Sequence, residues 1–462
     1  HQQFFYKIIK EVAKNGHNIT VFSYFDFDYG NLTNVQQFLY EVEVSYLEST
    51  AITDTKYLNT LKVLSSQFMI IKNMRRALNH KKILEMVEYM EDNKFDLFIV
   101  ECFSCMSLIL ADVFDTPIVL VSTFDSPMLP QLILGSDLNP WIENAHIGGG
   151  IIDNLYLAFF SCILISTRIF FDHFTTENFI ATNSTHRSST RILEDRLALL
   201  LTNSNPALGH VRAMSSNSVH VGFAHIEEPK EIENEEIKNF LDKSTRGVIL
   251  MSFGSAVIMK NLKNETILRF MRAFKSLNYD FLLKFYDLSI ELPQNILAVS
   301  WLPLADVLAH KNVKLFITHG GINSAYEAID REVPMIVFPL AYDQPGNAKM
   351  MVNKGIAKEL DLNTFTEDDL ITAIHEMMTN EEYLENIKTL KRLVYDQPIK
   401  PRELAVWHIE HVLRLGKLSY ADYPGRNLSF WKRHFLFTFF ITFLSAIWIA
   451  KIIAKYFKGI VG

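Results

Sequence analysis

The densest group of residues able to do chemistry lies in the second half of the chain. The apolar run KLFIT at 314–318 ends in His319, Gly320 and Gly321, and a helical pattern follows directly. Glycines between a strand and a helix let the backbone approach a phosphate closely, and the free N–H groups at the helix start then face that anion. His319 can donate a further hydrogen bond to a phosphoryl oxygen. The segment therefore predicts a phosphate-binding turn.

Several polar side chains follow this turn. Asn323 and Ser324 can add donors toward a diphosphate, and Glu327, on the same helix face, can accept from ribose hydroxyls. Asp343 and Gln344 end the next strand pattern, at the carboxyl edge where ligands of α/β proteins bind, and they suit sugar hydroxyls.

Two further candidates lie near strand ends. Trp301 offers an aromatic face on which a base can stack. A second glycine turn, SFGS at 252–255, also follows a strand pattern. A Gly pair at a strand-to-helix turn is commonly structural, so the interpretation depends on the joint pattern and not on one motif.

Alternating strand and helix patterns are expected to position these residues. The apolar runs DLFIVE at 96–101 and PIVLVS at 117–122 are separated by a helical pattern, and the alternation restarts at 247 after the acidic segment 226–247. Such alternation predicts parallel sheets. Two successive units of similar size predict paired Rossmann-like domains that face a cleft. The first helix pattern, 2–15, has no strand ahead of it, so we expect the first strand to be missing.

The joint pattern resembles the signature of the UDP-glycosyltransferase family, also called the UDP-glucuronosyltransferase superfamily. The residues that carry the resemblance are Trp301, Pro303, Thr318, His319, Gly320, Gly321, Asn323, Glu327, Pro334, Pro339, Asp343 and Gln344. The resemblance extends over essentially the whole chain, and its general look is closest to invertebrate UDP-glucosyltransferases. One position departs from the pattern: Leu304 stands where the family commonly has a Gln near the nucleoside.

The resemblance implies a GT-B fold and an inverting hexosyl transfer that needs neither a metal nor a cofactor. The UDP-sugar is the co-substrate, glucose is favoured over glucuronic acid, and the acceptor is a hydroxyl of a small lipophilic molecule, as in detoxification or in hormone or pigment conjugation. The implied divisions are an acceptor domain at 1–225, a donor domain at 226–410, a connecting segment at 411–434, a transmembrane helix at 435–454 and a tail at 455–462.

The resemblance also assigns roles. His1, placed before the first helix and the pair Gly16-His17, matches the catalytic general base, and Glu101 matches the carboxylate that orients it, where many members have Asp. The alternatives are a disordered first residue and a carboxylate that caps a helix. The implied donor site assigns uracil to Trp301, ribose to Glu327, the diphosphate to Ser255, His319, Gly320, Gly321, Asn323 and Ser324, and the sugar to Asp343 and Gln344.

A membrane anchor is expected near the C-terminus. Residues 435–450 read FLFTFFITFLSAIWIA, and with the apolar residues up to 454 they approach the ~20 residues that span a bilayer. The alternative is a buried core helix. Basic residues on both sides of the span leave the orientation open. The resemblance implies a single-pass protein of the endoplasmic reticulum membrane with a lumenal body, which five N-glycosylation sequons support weakly: Asn18, Asn31, Asn183, Asn264 and Asn427.

Composition and spacing weigh against other classes. A net charge of -7 argues against a nucleic-acid binder. The sequence has no G-x-G-x-x-G after a strand pattern, which argues against a dinucleotide-dependent oxidoreductase. The C-x-x-C of Cys102 and Cys105 could suggest a thiol-disulfide exchange site, but it lies in a chain far too large for one such module and beside Glu101. The D-x-D of Asp26 and Asp28 is a pattern common by chance, and no zinc spacing is present, so we expect no metal. The rival function is a non-catalytic, membrane-anchored protein that binds a UDP-sugar or a lipophile. Expected partners are the UDP-sugar, the acceptor and a lipid bilayer, with a homo-oligomer left open.

Overall fold

The structure, a computed structural model, describes residues 2–23, 25–39, 89, 93–102, 116–125, 128–136, 189–208, 214–254, 262, 264–285, 292–340, 343–422, 441–449 and 451. The strands are β1 (Ile19–Ser23), β2 (Val35–Leu39), β3 (Phe98–Glu101), β4 (Ile118–Ser122), β5 (Leu197–Thr202), β6 (Ser218–His220), β7 (Val248–Ser252), β8 (Asp280–Lys284), β9 (Ile296–Val299), β10 (Val313–Thr318), β11 (Met335–Val337) and β12 (Ala357–Glu359). The α-helices are α1 (Gln2–Lys14), α2 (Met128–Ile133), α3 (Ser189–Arg196), α4 (Glu235–Lys243), α5 (Asn264–Ser276), α6 (Leu304–Leu308), α7 (Ile322–Asp330), α8 (Gln344–Asn353), α9 (Glu367–Thr379), α10 (Glu382–Tyr395) and α11 (Pro401–Leu415).

The second half of the chain forms a six-stranded parallel sheet in the order β12-β11-β10-β7-β8-β9. Side chains alternate across it, because successive residues of a strand point to opposite faces. Val248 and Leu250 of β7 join one apolar core with α4, α7, α8 and α10, whereas Ile249 and Met251 join another with α5 and α9. Helices therefore cover both faces, which explains why β7 is buried throughout.

The first half of the chain contributes a four-stranded parallel sheet, β3-β4-β5-β6, and a two-stranded parallel pair, β1-β2. Strand β5 is fully buried and runs through the middle of the four-stranded sheet. One face packs against α1, and the same core includes Ala405, Val406 and Ile409 of α11. The helix that follows the second half thus returns to pack on the first.

The joint between the two halves is held by polar contacts. The guanidinium of Arg402 on α11 donates to the carbonyl oxygens of Ala224 (2.8 Å) and Ile226 (2.7 Å). It also lies 3.5 Å from the carboxylate of Glu227, which pairs with Lys7 of α1 as well. The segment between the two sheets is therefore anchored by helices from both ends of the chain.

The predicted transmembrane helix is not confirmed. In the part of the chain that the structure describes, no helix is both long enough and apolar enough to cross a membrane. Of the predicted span 435–454, only 441–449 and 451 are described; they are helical, and their side chains are exposed. The remaining residues of the span lie outside the described ranges.

Candidate functional site

The turn between β10 and α7 is built around glycine. Gly320 has a φ of +84°, and a Cβ there would lie 2.8 Å from Cγ1 of Val337 on the neighbouring strand, so only glycine fits. Gly321 is the N-cap of α7 and provides no side-chain hydrogen bond to the helix start. The N–H groups of the first turn are therefore left for a ligand, and an anion suits them.

The imidazole of His319 is enclosed by two glycine turns. A Cβ on Gly254 would lie 2.9 Å from the Cε1 atom of His319, and a Cβ on Gly321 would lie 2.7 Å from its Nε2 atom. The two turns meet because β7 and β10 are neighbours, with Ser252 paired to Thr318 at their carboxyl ends. The absence of side chains at both glycines is thus what makes room for the ring.

Burial keeps the His319 ring neutral. Its side chain is buried, and burial lowers the pKa of His319 to about 4. The Nδ1 atom of His319 has no hydrogen-bond partner among the described residues. A neutral imidazole still carries one N–H donor, and a nearby anion would raise its pKa. The ring can therefore donate to an anionic oxygen at the mouth of the turn.

Glu327 lies farther along α7, where it is partly buried. Burial raises the pKa of Glu327 to about 7, the charge of Arg331 opposes this, and that of Asp306 adds to it. Within the described ranges its carboxylate accepts no hydrogen bond and forms no ion pair. A carboxylate in this state can accept from hydroxyl groups such as those of a ribose.

Asn323 faces the first half of the chain. Its side-chain oxygen accepts from Nδ2 of Asn203 at 2.7 Å, and Asn203 follows β5 of the four-stranded sheet. The carbonyl oxygen of Asn323 lies 3.3 Å from Nε2 of His225. The side chain predicted to bind a diphosphate therefore has its oxygen committed to the other sheet, which leaves its amide nitrogen for a ligand. Ser324, the next residue, is partly buried.

Asp343 and Gln344 begin α8, close to the glycine turn. The Oε1 atom of Gln344 accepts from the backbone nitrogen of Leu340 at 2.9 Å. Asn347 donates from Nδ2 to the Asp343 carboxylate (2.7 Å) and to the carbonyl oxygen of Gly320 (3.0 Å). Asn347 thus ties Asp343 to the turn. Sequence reasoning missed it, although a polar residue four positions after Asp343 on a helix was the available signal.

Trp301 follows β9, and 65% of the residue's surface is exposed. Strand β9 lies three strands from β10, so at ~4.8 Å per strand its carboxyl end is roughly 14 Å from the glycine turn. Leu304, at the position where the family has a Gln, begins α6 and packs against the apolar core. Leu304 therefore has a packing role that a Gln would not fill.

Glu101 ends β3 in the four-stranded sheet, and its carboxylate accepts from the hydroxyl of Thr123 at 3.0 Å. Thr123 is buried directly after β4, the neighbouring strand. His1 and Ser255 lie outside the described residues, so the predicted His1–Glu101 pair and the Ser255 contact stay predictions.

Two residues in the first half of the chain escaped sequence reasoning. Asn203 is completely buried, and both carboxylate oxygens of Asp125, after β4, are buried with no hydrogen-bond partner in the ranges described. The Asp125 charge acts to raise the pKa of His220, although burial has the larger effect and lowers it. No periodic or spaced motif marks these residues, since each follows a different strand.

The two rival motifs lie in the first half of the chain. Cys102 is buried, and Cys105 lies outside the described ranges. The Asp28 carboxylate accepts from the backbone nitrogen of Gly30 (2.7 Å), and the Asp26 carboxylate accepts from Gln37 (2.7 Å). Among the residues that the structure describes, no group of three or more His, Cys, Asp or Glu could hold a metal.

The family follows from a match over nearly the whole chain. Residues 7–461 match the family model described as UDP-glucoronosyl and UDP-glucosyl transferase. The chain belongs to this family. The predicted family and the prediction of a glycosyltransferase enzyme are thereby confirmed.

Curated relatives include insect and viral members of the family. The chain is 34% identical to UDP-glucosyltransferase 2 of Dactylopius coccus over 262 residues, which is 56% of this chain and 50% of that protein. It is 24% identical to the ecdysteroid UDP-glucosyltransferase of Mamestra brassicae nuclear polyhedrosis virus over 473 residues, 92% of this chain and 86% of that protein. The first alignment thus spans half of the relative's length, and the second spans most of it.

Solved glycosyltransferases share the fold. The chain matches UDP-glucose: anthocyanidin 3-O-glucosyltransferase in complex with UDP with a TM-score of 0.59 and 16% identity, over 90% of this chain and 96% of that one. It matches glycosyltransferase VinC in complex with DTDP with a TM-score of 0.60 and 14% identity, over 90% of this chain and 98% of that one. At these identities the likeness establishes the fold, and it confirms the predicted GT-B architecture of this family member.

Proposed function

We propose that this protein is an inverting UDP-glycosyltransferase that transfers a hexose, glucose by preference, to a hydroxyl of a small lipophilic acceptor. The observation that carries the proposal is the enclosure of His319 by the glycine turns after β7 and β10, next to the uncapped start of α7. This arrangement offers one imidazole N–H and several backbone N–H groups to an anion. It suits the diphosphate of a nucleotide sugar, with no metal and no cofactor beyond that co-substrate.

The donor side then stabilises the leaving group. As the bond between the anomeric carbon and the diphosphate breaks, negative charge grows on the departing UDP, and donors fixed before the reaction stabilise that charge in the transition state. In this proposal His319, Gly320 and Gly321 act at that point. The remaining donor contacts are uracil on Trp301, ribose on Glu327, the diphosphate on Ser255, Asn323 and Ser324, and the sugar on Asp343 and Gln344.

The acceptor side supplies the base. His1 takes the proton of the acceptor hydroxyl as its oxygen attacks the anomeric carbon on the face opposite UDP, which inverts the configuration. Glu101 orients His1 and favours its protonated form. The hydroxyl of Thr123, 3.0 Å from the Glu101 carboxylate, holds that carboxylate in place.

The substrate class is taken from chemistry and from the relatives' names. Several relatives are named ecdysteroid UDP-glucosyltransferases, and others are named UDP-glucosyltransferase or UDP-glucuronosyltransferase. We infer that polycyclic and phenolic hydroxyls are the acceptors to test first, as expected of a detoxification or hormone-conjugating enzyme. UDP-glucose is the first donor, and UDP-glucuronic acid is the alternative.

A membrane location is part of the same proposal. Residues 435–454 would anchor the chain in the endoplasmic reticulum membrane, with the catalytic body in the lumen and residues 455–462 on the cytosolic side. Protease added to sealed microsomes should then remove only residues after about Lys451. Digestion of the body with the membrane intact would reverse this orientation.

The deciding experiment combines binding and turnover. Calorimetry with UDP tests the donor site, and purified membranes are supplied with UDP-glucose or UDP-glucuronic acid and a panel of phenols and steroids. We expect UDP to bind and a glycoside to form, with His319→Ala weakening both. UDP binding without transfer to any acceptor would favour the rival function, a non-catalytic binding protein with the same fold. No UDP binding would remove the donor-site assignment.

A further inference from the structure

Asn203 anchors the loop that follows β4. It is completely buried, directly after β5. Its backbone nitrogen donates to the carbonyl oxygens of Ser122 (2.9 Å) and Phe124 (3.1 Å), and its side-chain Nδ2 atom donates to the carbonyl oxygen of Thr123 (3.1 Å). Three consecutive carbonyl groups, from the last residue of β4 into the loop, thus accept from one residue, which fixes the backbone at Thr123.

The same residue contacts α7 in the other half of the molecule. Its Nδ2 atom donates to Oδ1 of Asn323 at 2.7 Å, and its carbonyl oxygen accepts from the hydroxyl of Tyr326 at 3.1 Å. Tyr326 is itself immobilised, because its ring stacks on Phe223 with centroids 4.1 Å apart. Asn203 therefore makes two hydrogen bonds to the first turns of α7.

These contacts form a continuous chain between the two halves of the proposed active site. Glu101 accepts from the Thr123 hydroxyl, the Thr123 carbonyl accepts from Asn203, and Asn203 also donates to Asn323. We propose that Asn203 is a positioning residue that sets the Glu101 carboxylate relative to the donor-binding helix α7. This inference rests on the proposed function, because it assumes that Glu101 and Asn323 act in transfer.

The chemistry of the contact selects a carboxamide. Both N–H bonds of the Asn203 side chain are directed at oxygen atoms, one on Thr123 and one on Asn323. An Asp at this position would place an oxygen against two acceptors, and an Ala would leave both acceptors unpaired. Glycosyl transfer is sensitive to such changes, since a misplacement of ~1 Å can cost about 10²-fold in rate.

The test uses the full chain with Asn203→Ala, Asn203→Asp and a matched control. Asn217 is also a buried asparagine before a strand of the same sheet, and its Nδ2 atom donates to Asp422 at 3.0 Å. We expect Asn203→Ala to lower kcat by roughly 10- to 100-fold while the Kd for UDP rises by less than about 5-fold. Asn217→Ala should reduce stability with kcat unchanged. Equal losses of kcat in the two alanine variants would mean general destabilisation and overturn the inference.

A double-mutant cycle tests the route through Thr123. Thr123→Val removes the hydroxyl that donates to Glu101, and Thr123→Ser should restore most of the activity because it keeps that hydroxyl. If Asn203 acts through Thr123, the double variant Asn203→Ala/Thr123→Val should lose less than the product of the two single losses in kcat/KM. Losses that multiply would show that the two residues act independently.

A measurement that needs no turnover distinguishes failure of the Asn203 inference from failure of the proposed function. If wild-type protein transfers sugar and Asn203→Ala keeps full kcat, the inference fails and the proposed function stands. If wild-type protein transfers to no acceptor, hydrogen exchange decides: UDP should slow exchange of the amides at 122–125 in wild-type protein and not in Asn203→Ala. No effect of UDP on these amides in a wild-type protein that binds UDP would then overturn the coupling.

Discussion

The carboxyl edges of the two large sheets carry their chemistry in different ways. In the six-stranded sheet, most of the donor-side candidates cluster in two short stretches, 319–327 and 343–347, and much of the proposed recognition uses backbone N–H groups and glycines. In the four-stranded sheet, Glu101, Thr123 and Asn203 each lie at the carboxyl end of a different strand. A diphosphate can be bound by one local turn, whereas an acceptor site must be assembled from separate strands. The first leaves a motif in the sequence, and the second does not.

The substitutions with the largest expected effect should impair the proposed acceptor side and leave the donor side intact. Glu101→Gln keeps the side chain's shape and removes the charge proposed to favour a protonated His1, and His1→Ala removes the proposed base. Both should lower kcat by about 10²–10⁴-fold, as a general base of this kind contributes, with UDP affinity nearly unchanged. Steady-state kinetics and UDP calorimetry measure the two quantities. Glu101→Asp is the control and should be milder. Full turnover by His1→Ala would place the base elsewhere.

The second prediction concerns stability at acid pH. It compares two buried histidines, His225 at the joint between the two halves of the chain and His319 in the glycine turn after β10. Burial lowers the pKa of both His225 and His319 to about 4, from an ordinary value of 6.5. Between these values the unfolded chain binds more protons than the folded one, so these groups make stability fall as pH drops from about 6.5 to 4. The loss is at most ~3 kcal/mol per histidine. Glu327 acts oppositely, because burial raises its pKa from 4.5 to about 7.

Chemical denaturation at several pH values measures the slope of the free energy of unfolding against pH. His225→Gln should flatten it by removing one of the two histidine contributions. Saturating UDP should flatten it further, because a bound diphosphate raises the pKa of His319 and leaves His225 at the joint unaffected. A slope that is the same in wild-type protein and His225→Gln would contradict the assignment of His225.

A third experiment would break the donor side alone. His319→Ala removes one hydrogen bond to a charged oxygen, worth roughly 1.5–3 kcal/mol, so the Kd for UDP should rise by about 10- to 150-fold in calorimetry. Gly321→Ala should act similarly, since its Cβ would lie 2.7 Å from Nε2 of His319 and displace the ring. The double variant should lose little more than either single one. His375→Ala, an exposed histidine on α9, is the control. Unchanged UDP affinity in folded His319→Ala would rule out the donor site.

The substitution with the smallest expected effect distinguishes sugar binding from UDP binding within the proposed donor site. Asn347→Ala removes the contact that ties Asp343 to the Gly320 carbonyl, worth about 0.5–1.5 kcal/mol. The KM for UDP-glucose should therefore rise by roughly 2- to 13-fold, and the Kd for UDP, which lacks the sugar, should stay constant. An equal loss for both would show that Asn347 supports the turn itself rather than the sugar contact.

Particular residues show how far the sequence could be interpreted. The helix starting after Thr366 was predictable because its capping box is local, and the structure shows Asp369 and Thr366 exchanging hydrogen bonds. The position of His319 in a turn was predictable, but its protonation state was not, because its low pKa comes from burial beneath Gly254 and Gly321. Asn203 was not predictable at all. Its role depends on contacts with Thr123 and Asn323, 80 and 120 residues away.

The return of α11 to the first sheet has a consequence for synthesis. The apolar face of α1, with Phe4, Ile8 and Val12, shares its core with Val406 and Ile409, about 400 residues later. At about 5–20 residues per second, a ribosome needs roughly 20–80 s to make the intervening chain. During that time the core around α1 lacks the cover that α11 provides and is open to chaperones or to misassembly. A chain that stalls or is cleaved before α11 therefore leaves its earliest-made half unfinished, even though every strand of that half has been synthesised.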